Sequence, residues 1–104
     1  MNNDVLSVNF GEARANIEQI KTIVSQIERS LETMSQDTTR LISGGGWSGE
    51  DANIYQTQER GFVELVKEKV GKIDQSASVL LNELEMDQQT ASNAESMIED
   101  LKGI

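Results

Sequence analysis

The chain of 104 residues carries 18 acidic and nine basic side chains and no histidine, a formal charge of −9 at pH 7, with neither cysteine nor proline. Its length fits one small domain, and without His or Cys there is no zinc finger, thiol nucleophile, His-based acid–base pair, haem ligand or disulfide. The acidic balance argues against nucleic acid and anionic membrane surfaces as partners, since both attract basic faces.

Met1-Asn2-Asn3-Asp4 has no cationic start and no apolar core after it, so it does not read as a general-pathway signal peptide. From Phe10 a heptad seam begins: Phe10, Ala13, Ile17, Ile20, Val24, Ile27, Leu31, Met34, Thr38 and Leu41 alternate in steps of three and four, with Thr38 the one polar member. The spacing predicts a helix over about 10–43. Asn9 is placed to cap it with Glu12 completing a capping box, and Val8 and Ala13 sit where a hydrophobic staple would form. Gly44-Gly45-Gly46 stops it, because glycine takes the left-handed conformation past a helix end without steric cost.

The elbow spans 44–48 and a second helix follows over about 49–102. Ser48 is the expected cap, and Glu50 and Asp51 put negative charge on the positive end of the helix dipole. The second seam runs Ala52, Tyr55, Glu59, Phe62, Val66, Val70, Ile73, Ala77, Leu80 and Leu84, with a stutter between Val66 and Val70. Its phase continues through Asp87, Ala91, Ala94, Ile98 and Leu101 with smaller and wetter residues. The longest apolar run, Val79-Leu80-Leu81, is too short to span a bilayer.

Pairing the seams antiparallel makes facing residue numbers add to 93 or 94 throughout, from Leu41 with Ala52 to Phe10 with Leu84. Everything after about Glu85 then overhangs the first helix. The predicted fold is all-α, an antiparallel two-helix hairpin in a single domain over 1–104. Ile23, Ile42, Val63, Leu65, Val79, Leu81, Met86 and Met97 lie off the seam. Burying such residues stabilises by about 1.5–3 kcal/mol each, so dimerisation is expected to complete the hairpin to a four-helix bundle.

An acidic, proline-free hairpin with Trp47-Ser48-Gly49 at its elbow resembles the WXG family of hundred-residue proteins exported by type VII secretion systems, which includes the early secreted antigenic target. The resemblance covers essentially the whole chain. It implies a small ESX/Ess-like substrate, exported as a folded helical dimer with itself or a related WXG-type protein, acting through protein–protein contacts and engaging the secretion ATPase. It also implies export from a Gram-positive-type bacterium without a Sec signal, the protein being cytoplasmic before export. The motif residues Trp47, Ser48 and Gly49 and a carboxy-terminal recognition segment with Ala91, Ala94, Ile98, Asp100 and Leu101 are the implied site. Many members carry an aromatic followed four residues later by an acid near that terminus. Here the only tyrosine is in Tyr55-Gln-Thr-Gln-Glu59, beside the elbow, where chance is the better reading.

Charge bears on the alternatives. Residues 47–104 hold twelve acids and five bases, and from Asp74 to Asp100 seven acids occur with no base. The missing aromatic and the acidic tail suit an alternative role, an adaptor that binds the helical amino-terminal region of a larger secreted toxin. A structural coiled-coil module is a third reading. No enzyme, cofactor or metal site is expected: without His there is no Glu-X-X-His ligand pair, and Glu95 and Glu99 read as surface acids.

Overall fold

A computed structural model describes residues 2–103, and of residues 2–8 the backbone alone. The fold is an all-α antiparallel two-helix hairpin: α1, Asn2–Ser43, and α2, Glu50–Lys102. With no proline to interrupt either helix, the periodic burial of one face holds each of them. The chain packs as two units, residues 22–74 around the elbow and residues 1–21 with 75–104.

In the elbow unit, α1 buries Val24, Leu31 and Thr38 and half-buries Ile27, Met34 and Ile42, while α2 buries Ala52, Glu59, Val63 and Val70. The core is one layer thick, and no large side chain is fully buried among the described residues. Thr38 Oγ1 donates to Glu59 Oε2 at 2.6 Å, and no buried side-chain polar atom lacks a partner among the described residues. In the other unit, Phe10, Ala13 and Ile17 are half-buried on α1, with Ala77 buried and Leu81, Leu84 and Ala91 half-buried on α2. There Arg14 Nη2 donates to Gln88 Oε1 at 2.5 Å and Lys21 Nζ to Ser78 Oγ at 2.6 Å.

Several expectations are corrected. α1 begins at Asn2, so Asn9 and Glu12 lie inside the helix and form no capping box; the staple assigned to Val8 lies outside the described side chains. Thr38 hydrogen-bonds Glu59, a diagonal pair that adds to 97, while the buried Val24 and Val70, and Leu31 and Val63, add to 94 as the pairing expects. The diagonal contact lets two polar seam residues satisfy each other, as buried polar groups must. The α2 face is also rotated. Val63 is buried where Phe62 was expected and Leu81 is half-buried where Leu80 was expected, while Tyr55, Phe62, Ile73 and Leu80 are exposed. On α1, Ile20 and Leu41 are exposed as well, and Ile42 is half-buried. The stutter is retained: Ala52, Glu59 and Val66, then Val70, Ala77, Leu84 and Ala91, are all buried or half-buried in steps of seven except across Val66–Val70.

Candidate functional site at the elbow

The elbow is built by glycine geometry. Gly46 N–H donates to the Leu41 carbonyl at 2.9 Å and Gly45 N–H to the Ile42 carbonyl at 3.1 Å, with Gly45 at φ +78°. This is a Schellman cap, which satisfies carbonyls that the end of α1 would otherwise leave free. A Cβ on Gly46 would lie 2.8 Å from Leu41 Cδ1, so the chain turns tightly against the last turn of α1. The glycine run is thus fully used as a helix stop.

The start of α2 differs from expectation in one residue. Gly49, not Ser48, supplies the carbonyl that accepts the Asn53 N–H at 3.2 Å, and Gly49 sits at φ +97°. A Cβ there would meet nothing within 4 Å. The need for glycine at this position is therefore conformational and not a matter of space beside Trp47. Glu50 and Asp51 occupy the first turn of α2, where the helix dipole favours them.

Trp47 is half-buried, and its ring lies on Tyr55 with centroids 5.2 Å apart and planes inclined at 51°. Such a tilted pair adds about 0.5–1.5 kcal/mol beyond its area burial. Tyr55 thus leaves the seam to serve as the platform for Trp47, a role its heptad position gave no sign of. Its companion in the Tyr-X-X-X-Glu pattern, Glu59, is buried on Thr38. Ser48 is exposed.

The tail residues belong to the other packing unit. Ala91 is half-buried, and Ala94, Ile98, Asp100 and Leu101 are exposed, as is every described side chain from Ser92 onward. The overhang expected after Glu85 begins later, because α1 extends to Asn2 and Arg14 reaches Gln88. Among the described residues no cluster of three or more acids is placed to hold a metal ion, and no helix is long and apolar enough to cross a membrane.

What the surface offers is apolar area. Ile23, Leu41, Ile54, Tyr55, Phe62, Leu65 and Ile73 are all exposed in the elbow unit. On α2 of the other unit the exposed apolar residues are Val79, Leu80, Met86, Met97, Ile98 and Leu101. No protein-family model, curated protein or solved structure matches the chain.

Proposed function

We propose that this protein acts by protein–protein association, as a WXG-type substrate of a type VII secretion system that is exported as a helical dimer. The observation that carries the reading is the elbow: Trp47-Ser48-Gly49 joins two long helices, its glycine held at φ +97° and its tryptophan seated on Tyr55. Apolar side chains left exposed along both helices supply the surface for a second hairpin. Partners are a second copy or a related hairpin, and the secretion ATPase, which would read the exposed end of α2 around Ala91, Ala94, Ile98, Asp100 and Leu101.

The test is export from a bacterium with an active type VII system, comparing the parent with Trp47→Ala. Loss of export with the fold retained supports the reading. The ring is only half-buried, so its truncation costs less than the ~3–5 kcal/mol of a fully buried aromatic. Export equal to the parent, or export abolished by deleting the Sec pathway, overturns it.

The exposed, acidic end of α2 favours a second reading, in which the same fold is an adaptor for the helical amino-terminal region of a larger secreted toxin. Tight one-to-one capture of such a region, with the protein itself retained inside the cell, would select this reading over the first.

A further inference from the structure

We infer that α2 carries a second helix-docking surface centred on Gly61, and that its occupant is α2 of a second copy of this chain, crossing antiparallel. The inference rests on the association proposed above and adds the place and sense of the contact.

Gly61 lies deep inside a 53-residue helix, where glycine is disfavoured against alanine. Nothing within the chain requires it. Its φ is not positive, since only Gly45 and Gly49 are, and an added Cβ would meet nothing within 4 Å. The notch opens outward among large apolar neighbours. Ile54, Gln58, Gly61, Leu65, Glu68 and Lys72 follow one another in steps of four and three, so they form a single stripe on α2. Phe62 borders it. Phe62, Leu65 and Ile54 are 54%, 51% and 48% exposed. A missing side chain beside exposed bulky ones is the shape that admits another helix closely.

The area on offer fits a second copy. The accessible surface is 7923 Å², against about 5,800 Å² for a compact chain of this mass. Covering half of that excess on each of two copies would bury about 2,000 Å² in all, the range of obligate homodimers.

The stripe is also self-complementary. A twofold axis at the level of Val63 sets Gly61 opposite Leu65 of the second copy, so an exposed leucine meets the notch at both related points. The same axis sets the Gln58 amide opposite the Glu68 carboxylate and the alkyl chain of Lys72 over Ile54. A parallel pairing would put glycine against glycine and leucine against leucine. It would also lay together residues 75–104, which hold six acids and one base. A foreign partner chosen by charge would need a stripe of one sign, and this one carries a single acid and a single base, Glu68 and Lys72, paired with each other at 3.4 Å.

Sedimentation equilibrium on the full chain with Gly61→Ala and Gly61→Leu tests this. The parent should dimerise, Gly61→Ala should weaken the dimer about tenfold and Gly61→Leu more. Neither variant should melt below the parent where all three are monomeric, because both side chains favour helix over glycine. Since the chain has no native cysteine, mixing Gly61→Cys with Leu65→Cys should yield a disulfide-linked mixed pair in excess of what either gives alone. A parent dimer whose dissociation constant Gly61→Leu leaves unchanged overturns the crossing point while association stands. A parent monomeric at millimolar concentration overturns both. A monomer that instead pairs with a different hairpin, in a manner Gly61→Leu blocks, overturns the second copy as occupant.

Discussion

The Thr38 hydroxyl donates to Glu59 Oε2 at 2.6 Å with both residues buried. Each is acceptable in the seam only because of the other, since a buried polar group without a partner costs roughly 1–3 kcal/mol. Thr38→Val keeps the shape and removes the donor, so it should destabilise the chain by about that amount. Adding Glu59→Leu removes the stranded acceptor, and the double variant should recover much of the loss. Urea unfolding of the two single variants and the double one closes the cycle; additive losses would show that the bond contributes nothing to the hairpin. The pair also bears on register. An apolar seam slides with little penalty, whereas sliding this one by a turn leaves both groups unpaired, which is how a single buried polar contact comes to specify alignment. At the elbow the same economy holds for backbone: Gly45 and Gly49 are the only residues at positive φ among those described, and a Cβ at either would be strained.

The two helices, the stutter and the glycine stop were legible because each has a local signature: heptad spacing, a four-residue step, three glycines in a row. The faces were less so. Phe62 and Val63 are adjacent and both apolar, so spacing admits a seam through either; the choice falls to size, and the compact Val63 fits between two helices where Phe62 does not. Counting apolar residues also favoured Tyr55, because the alternative seam passes through the polar Gln56 in its place, and Gln56 is the one half-buried. The start of α1 was misplaced because Asn9 and Glu12 carry a capping pattern, yet nothing before them breaks a helix. At the far end, α2 from Ser92 to Lys102 is helical with all its side chains exposed. A helix that buries nothing is marginal in water. Amide hydrogen exchange should therefore show protection falling steeply beyond Ala91, relative to Leu31 and Val63, in the free chain. Protection restored there on adding secretion ATPase would tie the segment to recognition, and uniform protection in a monomer would show that its order needs no partner.

For the whole molecule, charge sets the terms of association. Each copy carries −9, distributed unevenly: residues 22–74 hold nine acids and six bases, residues 75–104 six acids and one base. Two copies repel, so whatever joins them must be apolar burial acting against that repulsion, and salt should strengthen the pair. The size of the salt effect reports the arrangement. Screening shortens the reach of exposed charges from about 30 Å at 0.01 M salt to about 8 Å at 0.15 M. An antiparallel contact through Gly61 brings together the nearly balanced halves and holds the acidic segments at opposite ends, so most of the repulsion is already avoided by geometry. Its dissociation constant should fall by only about threefold between those salt concentrations, a fraction of a kcal/mol. A parallel pair with the acidic segments side by side would respond by tenfold or more on the same scale. Sedimentation equilibrium across that range separates the two. A dimer that weakens with salt would mean that opposite charges hold it together, and the packing of Leu65 against Gly61 would then not be the contact.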